Sequence, residues 1–188
     1  MPASAARLSL ADAIGAHARA QPADAALAAG FLALLADAGG VDPFLRDRLD
    51  GHFTASAFVV DASGTRTLLM HHRKLDRWLQ PGGHADGDDD LAAVALREAM
   101  EETGLDGLVQ EGGIFDLDRH RIPARGEVPA HWHFDVRYVV RAAGGDAFTA
   151  NHESLALAWR DIADVAGDDA IDGSVRRMAR RWLARGVG

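Results

Sequence analysis

The chain has 188 residues, 48% of them hydrophobic, enough for one domain with an appendage and a sizeable buried core. Its formal charge of −8 argues against a basic surface for nucleic acid and suits a protein that recruits cations. It has no cysteine, which excludes a disulfide framework and a thiolate nucleophile.

The first residues lack the basic-then-apolar layout of a secretory signal. The longest apolar run, Ala25 to Ala36, is too short to span a bilayer. The expectation is a cytoplasmic protein with no membrane partner. Residues 1–50 read as an all-helical extension. Ser9 can cap a helix that carries Leu10, Ala13, Ile14 and Ala18 at helical spacing, and Gln21-Pro22 breaks it. A second helix is expected from about Ala23 to Ala38, stopped by Gly39-Gly40, and a third, short one from Asp42-Pro43 to Asp50. Such a segment suits core packing or packing between two copies in a homodimer.

Phe53 to Asp61 and Thr65 to His72 read as a strand pair around Ala62-Ser63-Gly64. Arg73, Lys74 and Arg77 follow, either as a solvated hairpin end or as phosphate contacts. Pro81-Gly82-Gly83 reads as a glycine turn, whose residues permit positive φ and close approach to a ligand. A helix then begins near Asp88, Asp89 and Asp90, which supply an N-cap and a negative first turn, and closes at Gly104.

Glu98, Glu101 and Glu102 stand at i, i+3 and i+4 in that helix, on one face. Like charges so placed repel, and a hard divalent cation with oxygen ligands, Mg²⁺ or Mn²⁺, would remove the penalty. The plainer alternative is a solvated acidic face. Arg97 can brace a neighbouring carboxylate.

Beyond the helix, Leu108 to Leu117 reads as a strand, with Asp116, Asp118 and His120 on one side if it continues. His131 to Val140 is a second strand. His131, His133, Asp135 and Arg137 line one face and Trp132, Phe134, Val136 and Tyr138 the other. Leu155 to Trp159 is a short strand. A last helix, about Ser174 to Arg185, carries an apolar stripe, and its arginines read as the solvated remainder. The histidines invite a zinc reading, but no close Cys/His spacing supports a structural zinc site. Substrate contacts at a cleft are the preferred role for Asp118, His120, His131 and His133. Trp132 or Phe134 can stack on a base or pack in the core.

Gly83, Asp89, Arg97, Glu98, Ala99, Glu101, Glu102, Gly104 and Leu105 resemble the signature of the Nudix hydrolase family. Asp89 alone departs, being one methylene shorter than the family's Glu, which bears on a brace from Asp89 to Arg97. The resemblance covers residues 51–188 and implies a mixed-sheet α/β/α sandwich with the carboxylate helix beside it. It implies a metal-dependent hydrolase that cuts a diphosphate linkage in a nucleoside diphosphate joined to another group. Glu98, Glu101 and Glu102 would hold the metal, with Arg97 in the catalytic set. Gly82, Gly83 and the basic stretch would contact phosphate. The general base would be Glu98 or a residue of a later loop, for which Glu153 is the candidate. Two other functions fit the fold. Isopentenyl-diphosphate isomerase relies on a cysteine that this chain lacks. A non-catalytic nucleotide sensor usually loses signature carboxylates, and all three are present.

Overall fold

A computed structural model describes residues 5–37, 39–73, 76–149 and 154–185. Ten consecutive buried residues, Gly51–Val60, form the central strand β1. Around it stand β2 (Arg66–His72), β3 (Arg77–Leu79), β4 (Gly82–His84), β5 (Leu108–Ile122), β6 (His131–Ala142) and β7 (Ser154–Asp161). The path of this seven-stranded mixed sheet is β3-β2-β1-β6-β5, with β4 pairing β1 and β7 pairing β2. β1 and β6 run parallel over their whole length, Gly51 opposite Trp132 through Val60 opposite Arg141. The other pairs are antiparallel. Covered on both faces, β1 is buried throughout, with Phe53, Ala55, Ala57 and Val59 on one face and His52, Thr54, Ser56, Phe58 and Val60 on the other.

Helices cover both faces. α1 (Ala5–Ala20), α2 (Ala25–Ala36) and α3 (Leu91–Thr103) lie on one, and α4 (Ile162–Gly167) and α5 (Gly173–Ala184) on the other. Ile14, Phe31 and Phe44 from the N-terminal segment share a core with Phe53 and Ala55 of β1 and Val94 of α3. The extension therefore completes the main core. Val175, Met178 and Ala179 of α5 pack against Phe58 and Val139 on the far face. None of the described helices is long and apolar enough to cross a membrane.

Several local expectations need correction. Ser9 lies inside α1, and is no cap. No helix forms from Asp42 to Asp50. Asp42 instead closes a turn, its side chain accepting from Phe44 N at 3.0 Å and its carbonyl from Leu45 N at 3.0 Å. Gly82-Gly83 is an extended strand paired with Ala55 and Ser56, and neither glycine has positive φ. Pairing with β1 holds this segment extended in place of the expected turn. The arginines of α5 are also more than a solvated face. Arg177 and Arg181 reach inward to Asp116 at 2.7 Å each, and Arg185, just past the helix, lies over the rings of Phe115 and Trp182.

Candidate active site

Asp90 caps α3, its carboxylate accepting from Ala93 N at 3.1 Å, and Gly104 ends it at φ 63° with its N–H on Met100 O. Between these stops the helix carries its three glutamates at graded exposure. Glu101 is exposed, Glu98 half-buried and Glu102 buried.

β4 meets them from the side. Gly82 N–H donates to Glu102 Oε2 at 2.9 Å. A Cβ on Gly83 would fall 2.5 Å from the Glu98 carboxyl carbon, and one on Gly82 would meet Ser56 Oγ at 2.5 Å and Ala55 O at 2.7 Å. Both positions therefore need glycine for close approach rather than for an unusual dihedral.

Arg97 bridges Asp88 at 3.3 Å and approaches Glu98 at 3.9 Å. The expected partner, Asp89, instead faces Arg7 of α1 at 3.5 Å. The shorter Asp89 side chain is thus matched by a second acid one residue earlier, and Arg97 still stands beside Glu98. Arg46 pairs with Asp86 just before the helix.

Arg73 is exposed at the end of β2, and Arg77 opens β3 with Asp172 3.6 Å away. Lys74 and Glu153, expected as a phosphate contact and a base, lie outside the described residues.

The polar strand residues form a second group. Alternation turns Gly83 toward Glu98 and the next residue, His84, to the opposite side of β4, against His52 and His133. Asp118, His120, His131 and His133 share that opposite face with Asp135 and Arg137. Asp118 is held there by Arg137 at 3.2 Å and Arg177 at 2.9 Å, and accepts from His120 Nδ1 at 3.1 Å. Burial alone would raise its pKa, but the His120 hydrogen bond and the two guanidinium charges outweigh it and hold the carboxyl below its usual range. Phe134 packs against Phe31 and Phe53 in the core, while Trp132 stays partly exposed under Arg119.

Five histidines gather here. His133 lies 4.8 Å from His52, 5.2 Å from His131, 5.0 Å from His84 and 5.4 Å from His120, ring centre to ring centre. His52 gives no signal in the sequence, because it opens an apolar strand and its neighbours come from residues 84 and 131–133. Burial first, then the Arg46 charge and the His52 ring, lower the pKa of His84 to about 4, and burial with the neighbouring rings also lowers His52 and His133. The folded values lie below the unfolded one near 6.5, so the unfolded chain takes up these protons first. In the metal-free protein, Tm should hold above about pH 7 and fall as pH drops from about 6.5 toward 4. A His84→Asn/His133→Asn variant should show a shallower fall. Parallel Tm–pH curves would contradict this.

The profile of the NUDIX domain matches residues 51–182. No curated protein matches the chain significantly. Among solved structures, an Ap4A hydrolase binary complex from C. elegans is similar at 19% identity and TM-score 0.57, over 72% of this chain and 98% of that one. A MutT protein from Methanosarcina mazei Go1 is similar at 16% identity and TM-score 0.59, over 75% and 99%. The E. coli dihydroneopterin triphosphate pyrophosphohydrolase is similar at 16% identity and TM-score 0.55, over 71% and 95%. At these identities the structural likeness speaks for the fold, and the domain profile, which spans well over half the sequence, shows that the chain belongs to the Nudix hydrolase family.

Proposed function

We propose that this enzyme hydrolyses a diphosphate linkage in a nucleoside-diphosphate derivative and needs a divalent metal held by Glu98, Glu101 and Glu102. The observation that carries the reading is the meeting of those carboxylates with β4. Gly83 leaves room for the Glu98 carboxyl, and Gly82 N–H orients Glu102. An all-oxygen donor set of this charge fits Mg²⁺ or Mn²⁺ better than zinc or copper. The bound ion would neutralise phosphate oxygens and lower the cost of charge building up during attack by water.

The protein's own groups supply the rest. Arg97, anchored by Asp88, steadies Glu98. Glu98 is then placed to accept the proton of the attacking water, with Glu153 as the rival base. The space a side chain would take at Gly82 and Gly83 is filled by Ser56 and Glu98, so any phosphate contact there would run through backbone alone, and Arg73, Lys74 and Arg77 would offer it positive charge. His131 and His133 face away from α3, so they would meet only a part of the substrate that passes to the other side of β4. The named substrates of the similar structures, Ap4A and dihydroneopterin triphosphate, contain phosphoanhydride linkages, which supports a P–O–P bond as the target.

The test is a panel of nucleoside-diphosphate derivatives assayed with Mg²⁺, with Mn²⁺ and with EDTA. At least one should turn over with metal, and EDTA should abolish that turnover. EDTA-insensitive hydrolysis across the panel would overturn the proposal.

A further inference from the structure

We propose that His52, His131 and His133 form a second metal site, for a divalent transition-metal ion of the zinc type, on the sheet face opposite the carboxylate helix. One ligand nitrogen from each of the three lies within 4.8 Å of the others. A tetrahedral ion about 2.1 Å from each nitrogen would draw them to roughly 3.4 Å apart, a closure that small rotations of three rings can supply.

The orientation of the rings argues for a ligand more strongly than their proximity. His52 Nδ1 lies 3.1 Å from Arg48 O, and His131 Nδ1 lies 2.9 Å from Pro129 O. A carbonyl can only accept, so both Nδ1 atoms carry the proton and both Nε2 atoms present a lone pair. This is how imidazole ligands are commonly set, with the far nitrogen donating to a fixed oxygen. Nε2 of His52 and Nε2 of His133 are buried and have no hydrogen-bond partner among the described residues. His52 is 1% exposed and His131 8%. Leaving a buried nitrogen unpaired carries a desolvation penalty that a bound ion would remove.

A bound phosphate and plain ring packing both fit less well. A phosphate oxygen would meet lone pairs on His52 and His131 where it needs donors. Packing of neutral imidazoles accounts for the stacked rings, but not for two buried Nε2 atoms left without a partner among the described residues. A Lewis acid satisfies those lone pairs at once. Imidazole donors select zinc, nickel or copper over Mg²⁺, which the carboxylates of α3 prefer. The two sites are separated by β4 and differ in donor chemistry, so the second stands whether or not the first is catalytic. Three protein ligands would leave a fourth position open to water, with His84 and His120 beside it.

The experiment uses the whole chain stripped with a chelator and then titrated with Zn²⁺ against a chromophoric competitor, with Co²⁺ as a spectroscopic probe. One Zn²⁺ per chain should bind, and Co²⁺ should give the intense visible bands of four coordination. Glu102→Gln should keep this binding. His52→Asn and His133→Asn should each weaken it by roughly a hundredfold or more, beyond the loss typical of a supporting contact. If either histidine variant fails to fold, imidazole nitrogen NMR of the parent chain decides. Zn²⁺ should shift the Nε2 signals of His52 and His131 while Nδ1 stays protonated. No stoichiometric binding, binding undiminished in the folded histidine variants, binding lost in Glu102→Gln, or unshifted imidazole signals would overturn the proposal.

Discussion

Replacing Glu101 or Glu102 with Gln should lower turnover by roughly a hundredfold or more, the scale of losing one key electrostatic contact at a reacting centre. The fold should survive both changes. Gln at 102 keeps an oxygen to accept from Gly82 N–H, which Glu102 Oε2 now does at 2.9 Å. Either change also relieves repulsion among three like charges on one helix face. A companion variant probes the same site from the strand side. In Gly83→Ala the new Cβ would fall 2.5 Å from the Glu98 carboxyl carbon and displace that carboxylate. Because Glu98 is half-buried and can swing away, activity should fall far more than Tm. Steady-state kinetics beside thermal melts separate the outcomes. Near-normal kcat in either Gln variant would remove the metal assignment.

The largest effect on stability should come from Arg137. Its side chain is 2% exposed and lies between Asp135 at 2.7 Å, Asp118 at 3.2 Å and Asp116 at 3.4 Å. Burial opposes its charge, but these carboxylates outweigh that and raise its pKa. Asp116 itself is fully buried. Arg137→Met would leave buried carboxylates short of a counter-charge, which typically costs about 3–5 kcal/mol. Here the lower end is expected. Arg177 and Arg181 still reach Asp116, while Thr54 and Ser56 hydroxyls still donate to Asp135 at 3.0 and 2.7 Å. A Tm drop of roughly 6–12 °C follows for a chain of this size. Adding Asp135→Asn should recover part of it, because one stranded charge is then removed. Denaturant unfolding is the check, and a loss under about 0.5 kcal/mol, the range of an ordinary surface change, would contradict this role for the network.

That network shows why sequence carries the reading so far and no further. The carboxylate helix is legible because its signals are local. Asp90, the i, i+3, i+4 glutamates and Gly104 all act within a few turns of one another. The faces of β6 are legible for the same reason, since alternation needs no knowledge of neighbours. Arg177 and Arg181 look solvated in sequence because their acids, Asp116 and Asp24, come from distant segments, and an arginine on a helix looks the same facing solvent or a buried carboxylate. β4 looks like a turn because Gly-Gly-His contains no β-former, and its pairing with β1 is purely tertiary. The turns from Asp42 to Asp50 look like a helix because an Asp-Pro start cannot tell a capped helix from a capped turn. In the candidate site, Arg97 keeps its place beside Glu98 while its acid is Asp88 rather than Asp89, a choice among three adjacent aspartates that spacing alone does not make. The histidine group is partly visible as His131 and His133, but His52 joins it only through the parallel pairing of β1 with β6.

Water should attack phosphorus within a diphosphate under the control of the α3 carboxylates. Hydrolysis of an active nucleoside-diphosphate derivative in oxygen-18 water, with Mg²⁺ present and mass analysis of both products, tests it most directly. The expected result is cleavage of the P–O–P bond with the label in a phosphate of one product, and none of this turnover after chelation. Release of inorganic phosphate from nucleoside monophosphates, with diphosphate linkages left intact, would contradict it.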